Sequence, residues 1–263
     1  MNITKQYVVI TGASSGIGYE TAKAFAERGK NLILVARRYD KLQELKQEIL
    51  HKKPELNIVI IKKDLSINEN AHQLYQEVKS YQIEAWINNA GFGNYDSVAT
   101  QNLTKIETML RLNVEALVIL SSLYIHDYKD VDDAQLINIS SAGGYTIVPN
   151  AVTYCATKFF VSVFTEGLAL ELKESGAKMQ AKVLAPAATE TEFGKVANDV
   201  SEYSYDKLLN YHSAQQMAEF LLKLYDGDKI IGKVDRNTFQ FELCDPIFPY
   251  AGNSKYNQPK IKK

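Results

Sequence analysis

Residues 7–18 read YVVITGASSGIG, and their reading decides the fold. Tyr7 to Thr11 are aromatic, aliphatic or β-branched, the composition of a strand. Glycines follow at Gly12, Gly16 and Gly18. Residues 16–28 then carry the apolar spacing of a helix, which stops at Gly29, a residue suited to closing a helix. A glycine-rich turn between a strand and a helix has a physical use. Glycines let the backbone turn tightly and lie against a bound group, and the helix N-terminus offers unpaired N–H groups to an anion. That position points to the pyrophosphate of a dinucleotide. The spacing here is Gly-x-x-x-Gly-x-Gly rather than the more general Gly-x-Gly-x-x-Gly. By itself such a turn could be structural, or serve a methyltransferase or a flavin site.

Outward from this stretch, apolar β-rich runs alternate with longer helical patterns. Strands are expected at 31–36, 57–64, 84–90, 135–141 and 179–186, and helices at 40–52, 67–80, 104–127 and 151–174. The first four strands are almost continuously apolar, as when helices cover both faces of a sheet. Such repetition implies right-handed βαβ units: a Rossmann-type α/β fold with a doubly wound parallel sheet. No linker, repeat or low-complexity block interrupts it, so residues 1–263 read as one domain. After Pro186 the rhythm changes. Residues 187–212 are polar and suggest a loop or short-helix excursion, a lid, rather than a sheet element. A helix at about 213–226, a strand at about 229–242 and a loose arm at about 252–263 complete the chain.

The bulk properties narrow the function. The 263 residues are 46% hydrophobic and 23% charged, with a net charge of −1. That is an ordinary globular composition, without a field that would draw nucleic acid or a membrane surface. No uninterrupted apolar run approaches the roughly 20 residues of a bilayer span. The opening MNITKQ lacks the basic start and apolar stretch of a leader, so the expected location is the cytoplasm. Cys155 and Cys244 have neither metal-site nor disulfide spacing, and His51, His72, His126 and His212 are scattered. No metal site is expected.

Two further stretches carry chemistry. The second strand ends in VARRYD, residues 35–40. An NAD site places a carboxylate there for the ribose 2′-hydroxyl, but the position holds Ala36, followed by Arg37 and Arg38. Arginine suits a 2′-phosphate, and Ser14 can add a hydroxyl, so the pattern points to NADP(H) over NAD(H). The plainer alternative is a pair of solvated charges at a helix entrance. The second stretch, YCATK at 154–158, places Tyr154 and Lys158 on one helical face. Alone, such a pair is usually two surface neighbours.

Taken in order, Thr11-Gly12-x-x-x-Gly16-x-Gly18, Asp64, NNAG at 88–91, Asn113 in RLNVEA, Ser141 in NISSAGG, and Tyr154 with Lys158 resemble the short-chain dehydrogenase/reductase family over about residues 5–195. The resemblance implies a sheet of about seven strands and hydride transfer between a nicotinamide and a carbonyl/alcohol pair. It assigns catalysis to Asn113, Ser141, Tyr154 and Lys158. Tyr154 would exchange the proton of the substrate oxygen, with Ser141 hydrogen-bonding that oxygen and Ser140 the competing candidate. Lys158 would favour the phenolate and hold the nicotinamide ribose. Asn113 would support a water leading to Lys158; alternatively it is a buried amide bonded to backbone. The implied cofactor contacts are Gly12, Ser14, Ser15, Gly16, Ile17 and Gly18, then Arg37 and Arg38. Asp64, Leu65, Asn89, Ala90 and Gly91 follow, with Pro186, Thr189 and Thr191 at the nicotinamide end and Tyr154 and Lys158 on the ribose. One departure stands out: many members have Pro-Gly after the sixth strand, and this chain has Pro186-Ala187. Alanine serves there only if the backbone does not need φ > 0.

The implied partner is a small carbonyl or alcohol substrate, and family members are usually homodimers or homotetramers. Phe92, Tyr95, Tyr145, Phe193, Tyr203, Tyr205 and Tyr211 fall in the segments that would line its pocket, suggesting an amphipathic organic carbonyl, or else lid packing. The competing function is a non-catalytic NADP(H)-binding regulator on the same fold. Such proteins commonly lose the tyrosine or the lysine, and this chain keeps both.

Overall fold

The structure, a computed structural model, describes residues 6–251; the arm expected at about 252–263 lies outside them. The strands are β1 Gln6–Thr11, β2 Asn31–Ala36, β3 Ile58–Lys62, β4 Gln82–Asn88, β5 Gln135–Ile139, β6 Gln180–Ala185, β7 Thr189–Glu190, β8 His212–Ser213, β9 Ile231–Val234 and β10 Phe241–Cys244. The helices are α1 Gly16–Glu27, α2 Tyr39–Lys52, α3 Asn68–Val78, α4 Leu103–Leu110, α5 Leu117–Tyr128, α6 Val152–Ser175, α7 Phe193–Asn198 and α8 Ala214–Asp226.

Eight strands form the main sheet, in the order β10-β9-β6-β5-β4-β1-β2-β3. All neighbours are parallel except β9 and β10. Alternation along the strands builds two cores. In β1, Val8 and Ile10 face a layer containing Phe25, Leu42, Leu45, Leu221 and Leu224 from α1, α2 and α8. Tyr7 and Val9 face the other way, toward Leu74, Leu120, Tyr124, Ala169 and Leu172 of α3, α5 and α6. Both faces are covered, which is why the strands read as unbroken apolar runs.

Three expectations change in detail. The sheet has eight strands rather than seven, because the single strand expected at 229–242 is a hairpin. The Asp235 carboxylate accepts hydrogen bonds from the backbone N–H groups of Asn237 and Thr238, at 2.9 and 2.8 Å, and so closes a turn between β9 and β10. Segment 187–212 contains α7 and a 3₁₀ turn at Tyr205–Lys207, but also β7 and β8, which pair in parallel as a small second sheet. The long helix expected at 104–127 is α4 and α5 joined through a π-helical turn at Arg111–Ala116. Leu103–Tyr128 is long and apolar enough to cross a membrane by length and composition alone; here Met109, Leu120 and Tyr124 bury one side of it in the cores.

The strand order reverses between β1 and β4. Ligands of open parallel sheets bind at the carboxyl ends of the strands beside such a reversal. Gly12 follows β1 there, and Asn89 to Gly91 follow β4.

Candidate active site

The two strand ends are stitched to each other. The Thr11 hydroxyl accepts the N–H groups of Asn89 and Ala90, each at 3.0 Å. The Asn89 amide donates to the carbonyls of Thr11 and Gly12, at 2.9 and 3.2 Å. Gly12 and Gly16 adopt φ of +69° and +55°, where side chains are strained. Gly18 is needed for space instead: a Cβ on it would fall 2.5 Å from the Gly12 carbonyl oxygen. Gly18 therefore packs the loop onto its helix and does not line the cleft. Ser14, Ser15, Gly16 and Ile17 do line it, at the N-terminus of α1.

The cleft encloses about 1050 Å³. Along its adenosine side lie Arg37, Arg38, Asp64 and Leu65, followed by Asn89, Ala90 and Gly91; Pro186, Thr189 and Thr191 stand at its other end. Arg38, rather than Arg37, is the arginine bonded to Ser14: Nε and Nη2 donate to its hydroxyl at 3.3 and 3.2 Å. The Asp64 carboxylate accepts the N–H and hydroxyl of Ser66, at 3.0 and 2.7 Å, which fixes the turn after β3. The residues present fit a nicotinamide dinucleotide: a glycine cradle at a helix start, a bare backbone after β4, and a guanidinium with a hydroxyl at the end of β2.

Of the expected catalytic residues, Ser141 just after β5 and Tyr154 and Lys158 on α6 converge in the cleft, while Asn113 does not line it. Ser141 follows β5 and caps a 3₁₀ turn, its hydroxyl accepting the Gly143 N–H at 3.0 Å. The same hydroxyl reaches the Tyr154 phenol, where it partly offsets a strong upward push on the phenol from burial. Ser140 is committed elsewhere: its hydroxyl donates to the Lys158 carbonyl at 2.9 Å and pairs with Ser162 at 2.7 Å. Tyr154 and Lys158 share one face of the first turns of α6. The Lys158 ammonium donates to the Ile139 carbonyl at 2.9 Å, and burial pushes its pKa down to about 8. Burial also dominates at Tyr154, so Lys158 does not by itself make the phenol acidic in this arrangement.

Asn113 sits in the π-helical turn, behind Gly91, and does not line the cleft. Its amide donates to the Phe92 carbonyl and the Thr157 hydroxyl, at 2.9 and 3.1 Å, and its oxygen accepts the Phe92 N–H at 3.1 Å. These bonds tie the loop after β4 to α6, the backbone-bonded alternative for this residue. Cys155 is buried, its sulfur accepting the Val148 N–H at 3.4 Å, and it packs rather than reacts.

On the substrate side, Phe193 and Tyr95 stand 5.3 and 6.3 Å from the Tyr154 ring centre. Phe193 presses on Gly93, where a Cβ would meet the ring at 2.5 Å. Of the seven aromatic residues expected around the pocket, Phe92, Tyr95, Phe193, Tyr203 and Tyr205 line the cleft. Tyr145 instead donates to buried Glu166 at 2.7 Å and stacks on Phe248. Tyr211 packs on Tyr205. Ala187 is not among the residues with positive φ, and its carbonyl accepts the Thr189 hydroxyl at 2.9 Å. The substitution for glycine carries no backbone strain. Glu192, which the sequence reading passed over, also lines the cleft.

Comparison with known proteins agrees with this geometry. Residues 6–201 match the short chain dehydrogenase family. The human protein named dehydrogenase/reductase SDR family member 11 is 32% identical over 197 residues, covering 73% of this chain and 76% of that one. A short-chain dehydrogenase from Sphingobium yanoikuyae, solved in complex with NADPH, superposes with a TM-score of 0.81 at 28% identity, covering 88% of each chain. An alcohol dehydrogenase from Comamonas testosteroni described as specific for bulky-bulky ketones superposes with a TM-score of 0.76 at 27% identity, covering 87% of this chain and 85% of that one.

Proposed function

The chain belongs to the short-chain dehydrogenase family, and we propose that within it the protein is an NADP(H)-dependent oxidoreductase that interconverts a carbonyl and a secondary alcohol. The observation that carries this reading is the meeting of Ser141, Tyr154 and Lys158 at the mouth of β5, inside the cleft that the glycine loop opens onto. The relative solved with NADPH supports the choice of cofactor, as does the guanidinium of Arg38 beside Ser14.

A nicotinamide bound here would supply or accept the hydride. The chain's own groups handle the oxygen and its proton. Burial raises the Tyr154 phenol, so it enters reduction carrying its proton and would give it up only as negative charge develops on the substrate oxygen beside it. Ser141 stands beside it as a second donor to the same oxygen, an arrangement that stabilises charge as it forms. The Lys158 ammonium, held on the Ile139 carbonyl, would hold a ribose hydroxyl of the bound cofactor. Phe193 and Phe92, packed beside Tyr154, favour a substrate with an apolar body.

The test is NADPH oxidation with a panel of aldehydes and ketones, comparing the wild type with Tyr154→Phe. Turnover by the wild type alone supports the assignment. NADPH binding without turnover on any carbonyl would favour a regulator.

A further inference from the structure

Arg38 is held by two groups in this structure, and only one of them is the serine a 2′-phosphate site calls for. Nη1 and Nη2 also donate to the two carboxylate oxygens of Glu192, at 3.1 and 2.8 Å. This is the bidentate fork that arginine makes with carboxylates and, equally well, with phosphates. Arg38 holds this carboxylate below the usual carboxylate range, and the nearby Ser15 hydroxyl, from the residue that begins α1, adds to the effect. Glu192 thus rests on two of the groups expected to meet cofactor phosphates. The preceding residue closes down as well: a Cβ on Gly16 would lie 2.9 Å from the Thr191 methyl. A strap running from β7 into α7 therefore crosses the cleft, and its outer end is pinned to Arg38, 154 positions earlier in the chain.

We infer that Glu192 is a specificity-determining residue: its carboxylate occupies the Arg38 fork in place of a phosphate, and a cofactor's 2′-phosphate engages Arg38 by displacing it. This rests on the NADP(H) reading of the site. A cofactor without the 2′-phosphate has no second anion to offer Arg38 and leaves the pair intact. The exchange explains why a carboxylate is tolerated where an anionic ligand is expected to bind. Affinity for the phosphorylated cofactor is lowered by the fraction of molecules in which the pair is closed. Both side chains are 44% exposed, so the pair is worth about 0.2–1 kcal/mol, a factor of about 1.4 to 5 in binding.

The experiment measures dissociation constants of NADPH and NADH for the wild type, Glu192→Gln and Arg38→Ala, at low and high salt. Glutamine keeps the shape of Glu192 and removes its charge. The inference predicts that E192Q binds NADPH more tightly by about 1.4- to five-fold, leaves NADH unchanged, and loses this advantage at high salt. Three results would overturn it: weaker binding of both cofactors, which would make the pair a clamp that stays closed; equal tightening of both, which would make Glu192 a steric gate; or no change in either. Arg38→Ala separates this from the parent reading. Loss of NADPH affinity with NADH retained upholds the 2′-phosphate site whatever E192Q does, whereas equal loss of both would remove the site itself.

Discussion

Lys158 donates to the Ile139 carbonyl at 2.9 Å while its ammonium stands 6.0 Å from the centre of the Tyr154 ring. The lysine is thus aimed by the end of β5 and not by the phenol. In the proposed reaction its first duty would be to hold a ribose hydroxyl, with its charge four positions along α6 from Tyr154. Tyr154→Phe is expected to lower turnover by about 10²–10⁴-fold while leaving NADPH affinity near wild type. Lys158→Met is expected to lower turnover and weaken NADPH binding together. Steady-state kinetics with fluorescence titration of the cofactor check both. Full cofactor affinity in the methionine variant would remove the ribose contact.

Lys182 stands in β6, is 1% exposed, and has no carboxylate partner on its ammonium among the described residues. It donates to the carbonyls of Leu224, Tyr225 and Gly227, at 3.0, 3.1 and 2.7 Å. These carbonyls lie at the C-terminal end of α8, where a cation is favoured, and that of Tyr225 also accepts the Gln135 amide at 3.1 Å. Lys182→Met is expected to cost about 1–3 kcal/mol by taking the ammonium from the Leu224 and Gly227 carbonyls. Urea denaturation measures it; a neutral result would mean water replaces the ammonium without loss.

The same lysine sets a pH dependence. Burial pushes Lys182 and Lys158 each down to about 8 in the folded chain, against about 10.4 unfolded. Between these values the unfolded chain binds more protons, so their contribution to stability rises with pH from about 8 toward 10. Buried tyrosines oppose this at higher pH: Tyr124 and Tyr154 are raised by burial, and the unfolded chain loses their protons first, so stability falls above about 10. Stability is expected to peak between about pH 8 and 10, and the rise should flatten in Lys182→Met. A maximum near pH 6 in thermal melts would contradict it.

Ala187 has no left-handed backbone to sustain, so restoring the glycine common in relatives gains nothing. Ala187→Gly is expected to cost about 0.4–1 kcal/mol through the freedom it adds to the unfolded chain, with kcat/KM unchanged. A rise in NADPH affinity would show that the working loop visits φ > 0.

Phe193 contacts both the Tyr154 ring and Gly93, and so limits the bulk beside the reacting oxygen. Phe193→Ala is expected to raise the kcat/KM of a ketone with two bulky substituents relative to a small one by about ten-fold or more. Competition between acetophenone and benzophenone as substrates reads the ratio. An unchanged ratio would place the limit elsewhere, at Tyr95 or Tyr203.

Much of the fold was legible because burial on both sheet faces writes itself locally. Val8 and Val9 face opposite cores, yet both had to be apolar, and the glycines had to stand where β1 turns into α1. The glycine loop and the arginines after β2 were readable from their places at strand ends, whereas the roles of Ser141, Tyr154 and Lys158 came only from the resemblance to the short-chain dehydrogenase/reductase family. Gly18 and Asn113 were found as well, but only the structure separated their packing and tethering from contact with the cleft. The β9–β10 hairpin hid inside one apolar run, since its turn is made by Asp235 bonding its own neighbours.

What the sequence determined by itself is therefore the doubly wound sheet, a product of short-range periodicity; the groups expected along its carboxyl edge were those the family resemblance implied. The tertiary structure alone decided that Glu192 would reach Arg38, that Phe193 would close on Tyr154, and that Tyr145 would turn away to Glu166. Those pairings join segments 21 to 154 residues apart. No local pattern records them, because they depend on which loops the sheet brings to the same edge.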